Sequence, residues 1–372
     1  MTAPLILLSA GGTGGHLFPA ESLAIALKSR GARIALATDH RVGALSGSFP
    51  ADEVIEIPSA TPSARSVPQM ARAALLLSAG VAKAIPTIRR LSPAAVVGFG
   101  GYPTVPAVAA AALLRVPSVI HEQNGVMGRA NRLLARWATL IATGFPEVRG
   151  IPANAPGRRL HTGNPIRPAV LEAARMPMPS VEAGAPLNLL VFGGSQGARV
   201  MSDIVPPALE KLSAEHRARL NIVQQAREED LPRVREHYAR LGVAADLQPF
   251  FKDLPRRMAE AHLVIGRSGA STVAELAAIG RPSILVPLPG ALDQDQAANA
   301  KSLADIGAAT MILQDAFTPE RLAEELRGRI ENPSRLTQGA SAAKSAGITD
   351  AAERLAEAVL QLSRSPHGKV SS

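Results

Sequence analysis

Short apolar runs of strand length alternate with helix-length amphipathic segments along the whole chain, and this alternation restricts the fold more than any other feature. In the first half Leu5–Ser9, Arg33–Thr38, Ala95–Gly98, Ser118–His121 and Leu140–Thr143 read as strands. In the second half Leu187–Phe192, Asn221–Gln224, Leu263–Ile265, Ser283–Val286 and Met311–Leu313 repeat the plan. Strand, helix and strand in succession call for a parallel sheet covered on both faces. The pattern therefore predicts an α/β chain of two doubly wound domains with a cleft between them. Thr162-Gly163-Asn164-Pro165 and the stretch from Met176 to Pro186 carry the turn residues of a connection. The amphipathic segment Asp350–Leu362 either caps the second domain or crosses back to the first.

Several of these strands run straight into glycine. Leu5–Ala10 leads to Gly11-Gly12-Thr13-Gly14-Gly15-His16, with a helix expected from Pro19 to Arg30. Ala95–Gly98 leads to Gly100-Gly101-Tyr102-Pro103, and Leu187–Phe192 to Gly193-Gly194-Ser195-Gln196-Gly197-Ala198. Glycine between a strand and a helix lets backbone amides and the helix dipole approach a phosphate or a sugar. The dinucleotide spacing fails, because Gly12-Thr13-Gly14 would need glycine where Leu17 stands, and no Walker lysine follows. A nicotinamide-dependent oxidoreductase and a P-loop nucleotidase are disfavoured. A fourth turn, Gly266-Arg267-Ser268-Gly269-Ala270, opens a helix in which Glu275 stands one turn in, where a carboxylate can accept both hydrogen bonds of a ribose diol or merely complement the dipole.

The chain has 372 residues and no cysteine, so disulfides, thiolate metal sites and cysteine nucleophiles are excluded. Its charge is uneven. Residues 1–160 hold 16 Lys and Arg against 7 Asp and Glu, while residues 161–372 hold 24 of each, so the first half carries the whole excess of +9. From Glu56 to Glu122 there is no acid between, only Arg65, Arg72, Lys83, Arg89, Arg90 and Arg115. Within this window Met70–Ile85 reads as a helix with a broad apolar face (Met70, Ala74, Leu75, Leu77, Val81, Ile85), ended or kinked by Pro86. Such a helix fits either an anionic lipid surface or an ordinary core position with solvated arginines. Aromatic content of 3% leaves few stacking platforms for nucleic acid. The start lacks a basic leader and no run of about 18 apolar residues is free of breakers, which predicts a chain that does not span the membrane.

Six segments in one order, GGTGGH at Gly11–His16, GFGGYPTVP at Gly98–Pro106, HEQN at His121–Asn124, TGNPIR at Thr162–Arg167, GGSQGA at Gly193–Ala198 and RSGASTVAE at Arg267–Glu275, resemble the MurG family of bacterial peptidoglycan glycosyltransferases over nearly the whole chain. The resemblance implies a GT-B fold: an acceptor- and membrane-facing domain at 1–165, a UDP-sugar domain at 166–345, and a last helix at 346–363 packing back on the first. It implies inverting transfer of N-acetylglucosamine from UDP-N-acetylglucosamine to the 4-hydroxyl of undecaprenyl-pyrophosphoryl-muramyl-pentapeptide, at the cytoplasmic face of the plasma membrane. Peptidoglycan synthesis, and with it cell shape and division, follows from that activity.

Carried over by motif, donor contacts fall on Thr13, Gly14, Gly15 and Asn124, with Arg167 and Ser195 near the diphosphate and Phe251 near the uracil through its backbone. Ala270, Ser271, Thr272, Val273, Ala274 and Glu275 lie near the nucleotide, Glu275 on the ribose, and Gln296 completes the set. Tyr102 with Arg72, Leu75, Lys83, Arg89 and Arg90 forms the acceptor and lipid surface. His16 is the expected general base, with Glu122 and His121 as rivals. Arg167, Ser195 and the helix beginning near Gly197 are expected to stabilise the departing diphosphate. Asp293-Gln294-Asp295 has the D-x-D form of metal-dependent transferases, but helix dipoles and arginine supply the same charge, so no metal and no cofactor are expected. Another GT-B enzyme acting on a membrane lipid, or a membrane scaffold with a vestigial nucleotide fold, are the alternatives.

Overall fold

A computed structural model describes the chain except residues 1–2, 12–13, 40–48, 61–66, 183, 291–293 and 365–372, and the side chains of 67 and 68. Two compact units are present: Met1–Arg167 with Thr349–Ser372, and Pro168–Ile348.

The first unit is built on seven strands, β1 (Leu5–Ser9), β2 (Arg33–Thr38), β3 (Glu53–Glu56), β4 (Ala95–Gly98), β5 (Ser118–Glu122), β6 (Leu140–Thr143) and β7 (Arg158–His161). They pair in the order β3-β2-β1-β4-β5-β6-β7, all parallel. Helices α1 (Gly14–Lys28), α2 (Val67–Leu91), α3 (Val105–Leu113) and α4 (Arg129–Leu134) connect them. In the second unit α5 (Pro168–Ala173) precedes β8 (Leu187–Phe192), β9 (Leu220–Gln225), β10 (Ala245–Gln248), β11 (Leu263–Gly266), β12 (Ser283–Leu285) and β13 (Ala309–Met311). Their order is β10-β9-β8-β11-β12-β13, again parallel throughout. The intervening helices are α6 (Arg199–Glu210), α7 (Ala214–Ala218), α8 (Leu231–Arg240), α9 (Leu254–Glu260), α10 (Ala270–Ile279) and α11 (Asp295–Ala304). Two more, α12 (Pro319–Glu331) and α13 (Ser334–Ala346), close the unit.

Strand order reverses between β1 and β4, where Ser9 pairs with Gly98, and between β8 and β11, where Phe192 pairs with Gly266. At such a switch point the connections leave in opposite directions and a crevice opens past the carboxyl ends. The glycine turns after β1, β4, β8 and β11 sit at these two places.

Both faces of each central strand are buried, which is why they read as continuous apolar runs. On one face of the first sheet Ile6, Leu8, Leu23 and Leu27 pack with Leu355, Val359 and Leu362 of the last helix, α14 (Ala351–Arg364). The chain thus returns to its first unit, and α14 lies against α1. The other face collects Leu7, Val96 and Ile120 with Ala107, Val108 and Ala111 of α3.

Three strands escaped the sequence pattern. β3 (EVIE), β7 (RRLH) and β10 (ADLQ) all lie at sheet edges, where charged residues discourage edge pairing and dilute the apolar signal. β13 lies two residues earlier than expected, because Leu313 is half exposed beyond it. Helix α1 begins at Gly14, five residues before the expected start, so Gly15 and His16 belong to its first turn. α2 runs through Pro86 to Leu91; the carbonyl that loses its donor there belongs to exposed Ala82, which water can satisfy.

Leu355 is fully buried between α14 and α1. Leu355→Ala is expected to cost about 2–5 kcal/mol, whereas Leu113→Ala, at an exposed site of the same unit, stays within about 0.5 kcal/mol. Urea denaturation followed through the fluorescence of Trp137, the only tryptophan, checks this.

Candidate active site

The first half-site forms where β1 and β4 diverge. A Cβ on Gly11 would stand 2.8 Å from Pro103 Cγ, so the first turn lies tight against the second. Gly100 and Gly101 take φ of 83° and 71°, and side chains there would meet the His16 ring at 3.5 and 3.4 Å. The left-handed backbone at both positions favours glycine, and the imidazole packs against them at ordinary contact distance. Burial lowers the pKa of His16, opposed by the Gln123 side chain and the Phe99 backbone. The ring is therefore neutral at pH 7, the state a base needs.

Its two rivals are placed otherwise. His121 is fully buried, with Nε2 3.1 Å from the Gly163 carbonyl and Nδ1 3.2 Å from Gln123 Nε2. Both nitrogens are occupied, and burial pushes its pKa down to about 4. Glu122 corrects the expectation of a second catalytic group. Its carboxylate is buried and accepts from the backbone amides of Asn124 and Gly128, both at 3.0 Å, and from Asn131 Nδ2 at 2.8 Å. Burial raises its pKa while these donors lower it. It ties the loop after β5 to the start of α4 instead of facing a substrate. Asn124 adds its side-chain amide to the same carboxylate at 3.3 Å.

Arg167 lies with its guanidinium 4.5 Å above the Phe18 ring, a cation–π contact that holds it against α1 near His16. Tyr102 opens the short turn before α3. Gly14 and Gly15 start α1, and Thr13 lies outside the described residues.

The second half-site is a cavity of about 690 Å³ at the β8 and β11 switch point. Its floor is the Gly193–Arg199 turn, with Arg227, Arg267, Thr272, Leu288, Gln296 and Gln314 around it. Gln225 braces the turn, accepting from the Gly193 amide at 2.9 Å and donating to the Gly194 carbonyl at 3.1 Å. Arg267 is held by the carbonyls of Val286 and Pro287 at 3.1 and 3.0 Å and by Gln314 Oε1 at 2.6 Å. Gln296 accepts from the Leu288 amide at 3.1 Å and its carbonyl from Ser268 Oγ at 2.8 Å, which joins α11 to the loops after β12 and β11. Asp203 at the rim is already paired with Arg233 at 2.7 Å. Three arginines, Arg199, Arg227 and Arg267, and the N-termini of α6 and α10, neither with an acid in its first turn, give the cavity the electrostatics of an anion site.

Of the expected donor residues, Ser195, Thr272 and Gln296 line this cavity. Ala270, Val273 and Glu275 are buried in α10, and Ser271 and Ala274 are partly exposed on it, all outside the lining. Phe251 is also buried, stacked 4.5 Å from the Arg257 guanidinium. Arg227, Arg267 and Gln314 were missed as site residues. The legible signal for two of them was position, since Arg267 follows β11 directly and Arg227 follows β9 by two residues. Gln123, Asn131 and Asn164 were missed because amides carry no titration signal.

The lipid surface also needs correction. Arg90 forms an ion pair with Glu53 of β3, so its charge is already compensated. Arg72, Lys83 and Arg89 are exposed on α2, as are Met70, Leu75 and Leu76, with Leu75 72% exposed. Leu77, Val81 and Ile85 turn inward, so the broad apolar face divides in two. Among the described residues α2 is long and apolar enough to cross a membrane by length and composition, yet Ala73, Ala84 and Ile88 are buried in the unit. Among the described residues no three His, Asp or Glu side chains converge as a metal site, and Asp293 lies outside them.

Two parallel α/β units, each with its glycine turns at a switch point, have the architecture of the GT-B fold, and the matching families make the chain a glycosyltransferase. The family model of the glycosyltransferase family 28 N-terminal domain matches residues 6–143, and that of its C-terminal domain matches residues 188–355. The chain belongs to glycosyltransferase family 28. It is 65% identical over 359 residues to the UDP-N-acetylglucosamine--N-acetylmuramyl-(pentapeptide) pyrophosphoryl-undecaprenol N-acetylglucosamine transferase of Methylorubrum extorquens, covering 96% of this chain and 97% of the relative. The protein of the same name from Rhodopseudomonas palustris (strain HaA2) is 56% identical, with 97% and 98% covered. The crystal structure of Acinetobacter baumannii MurG superimposes with a TM-score of 0.78 at 31% identity, covering 96% of this chain and 99% of that one.

His121 yields a pH prediction. Its pKa falls from the ordinary 6.5 to about 4 on folding, so between those values the unfolded chain binds more protons and stability rises with pH. The contribution, about 3 kcal/mol, is complete above pH 6.5 and is lost as pH falls to about 4. Denaturation midpoints across this window should flatten in His121→Gln.

Proposed function

We propose that this chain transfers N-acetylglucosamine from UDP-N-acetylglucosamine to the 4-hydroxyl of the muramyl sugar of undecaprenyl-pyrophosphoryl-muramyl-pentapeptide, in peptidoglycan synthesis. One observation carries this reading: identity of 55–65% over nearly the full length to transferases named for that reaction. In the reaction His16 Nε2 takes the acceptor proton, the freed oxygen attacks the anomeric carbon from the face opposite the nucleotide, and UDP departs. Inversion gives a β-linked disaccharide. Arg267, Arg227 and the amides opening α6 and α10 offset the charge gathering on the diphosphate, with Ser195, Thr272 and Gln296 as donor contacts and Arg167 as a further cation. Each well-aimed donor of this kind is worth about 2.7–4 kcal/mol in the transition state. Glu275, Phe251 and the buried part of α10 would act on the nucleotide through backbone or through small adjustments on binding.

The test is incubation with both substrates and mass analysis of the lipid product, which gains one N-acetylhexosamine. His16→Ala is expected to lower kcat by about 10²–10⁴, while the thermal shift produced by UDP persists. Another lipid acceptor used in preference to the muramyl lipid would overturn the substrate assignment.

We further propose that the chain works as a peripheral protein on the cytoplasmic face of the plasma membrane, with the outward face of α2 resting on anionic lipid. Met70, Leu75 and Leu76 supply apolar area, and Arg72, Lys83 and Arg89 supply about 1 kcal/mol each near the headgroups. Reversing these three to Glu should abolish flotation with anionic vesicles at low salt, whereas Arg90→Glu should act weakly. Unchanged binding of the triple variant refutes the surface.

A further inference from the structure

We propose that Gln123 is the positioning residue of His16: its side-chain oxygen holds the imidazole in the Nδ1–H tautomer, leaving Nε2 with its lone pair. This deepens the assignment of His16 as base and rests on it.

The neighbouring histidine, His121, fixes the orientation of the Gln123 amide. His121 Nε2 lies 3.1 Å from the Gly163 carbonyl oxygen, which can only accept, so the proton of this buried ring is on Nε2. His121 Nδ1 is then a bare acceptor. Gln123 Nε2 sits 3.2 Å from that nitrogen and 3.0 Å from the Phe99 carbonyl oxygen, and its two hydrogens satisfy both. The opposite amide orientation would set Oε1 against a carbonyl oxygen and a lone pair at once. The amide is therefore fixed, and its oxygen is directed away from His121.

That oxygen reaches the surroundings of Gly100. A Cβ on Gly100 would lie 3.6 Å from Gln123 Oε1 and 3.5 Å from His16 Cε1. Gln123 Oε1 and His16 Nδ1 are both buried and neither makes a full hydrogen bond in this geometry; the Gln123 side chain, ahead of the Phe99 backbone, is the polar group that acts on the ring. An acceptor and a nitrogen of undetermined tautomer, buried side by side, reach their lowest energy when the nitrogen carries the proton. The other end of the ring is at Gly101, where a Cβ would stand 3.4 Å from Nε2. The neutral amide suits the task. It raises the pKa of His16 against burial without adding a charge that would hold the ring protonated at rest. Hydrogen bonds of catalytic groups are often long before substrate binds and tighten in the complex.

Ring ¹⁵N chemical shifts of His16, assigned by difference from His16→Ala, read the tautomer without turnover. The expected result is Nδ1–H in the unmodified enzyme and a mixed population in Gln123→Met. In steady-state kinetics Gln123→Met should lower kcat by about tenfold or more, part of the ~10²–10⁴ that a base supplies, and move the acid limb of the kcat profile to lower pH. The KM for UDP-N-acetylglucosamine should change by less than about twofold, since uniform binding is untouched. An Nε2–H ring in the unmodified enzyme overturns the proposal, and that measurement stands even where the variant fails to fold. A fully active His16→Ala instead removes the base assignment while leaving the tautomer result in place, so the two failures are distinguishable.

Discussion

Two neighbouring strands whose connections depart in opposite directions leave the space beyond their ends uncovered, and the glycine turns of this chain are gathered around that space. In the first unit the gap opens past Ser9 and Gly98, in the second past Phe192 and Gly266. Whatever fills such a gap must come from the turns themselves. Glycine at the turns permits close backbone approach, and the helices that follow direct unpaired amides at it. Gly100 and Gly101 show the constraint most directly, because their positive φ disfavours any other residue where the turn passes the His16 ring.

The two gaps are furnished with different electrostatics. Around His16 the buried polar groups are amides: Gln123 on Phe99 and His121, Asn131 on Glu122, and Asn164 on the Gln123 carbonyl at 2.9 Å. Amides orient a base without charging it, whereas a carboxylate in contact would hold the imidazole protonated and unable to accept a proton. Glu122, the carboxylate next to Gln123, is satisfied by donors of its own loop and of α4. The second cavity has the opposite character, with Arg227, Arg267 and two helix N-termini. Proton removal and anion release make opposing demands on local charge, and the proposed roles of the two units divide along that line.

The central strands were legible because burial on both faces turns them into unbroken apolar runs, and nearly all were found within a residue or two. β3, β7 and β10 were not, since an edge strand protects itself with the polar residues that disguise it. The glycine turns were legible as ligand-binding positions. What they do with their neighbours was not: Glu122 and Gln123 are adjacent in sequence, and only the fold assigns the first to a loop clamp and the second to the histidine. Glu275 stood out as the acid at a helix start, yet it lies outside the cavity lining, while Arg227 and Arg267, each just past a strand end, are part of it. Arg90 and Glu53 illustrate the same limit, because their pairing joins residues far apart in the chain.

Helix α2 shows why composition alone divides badly between core and surface. Its apolar residues are numerous enough for a membrane span, and helical periodicity distributes them over two faces. Gly80 explains the inner one. A side chain there would come within 2.2 Å of the Pro58 carbonyl and 2.8 Å of Pro106, so α2 is seated directly on α3 with no room for a lipid-facing rotation. With the inner face fixed, Met70, Leu75 and Leu76 are left outward beside cations that have no acid within the window from Glu56 to Glu122. Apolar side chains in water cost free energy unless another surface covers them. Arg72, Lys83 and Arg89 stand exposed along the same helix while Arg90 pairs with Glu53, and it is this combination of apolar and cationic side chains that the proposed lipid contact rests on.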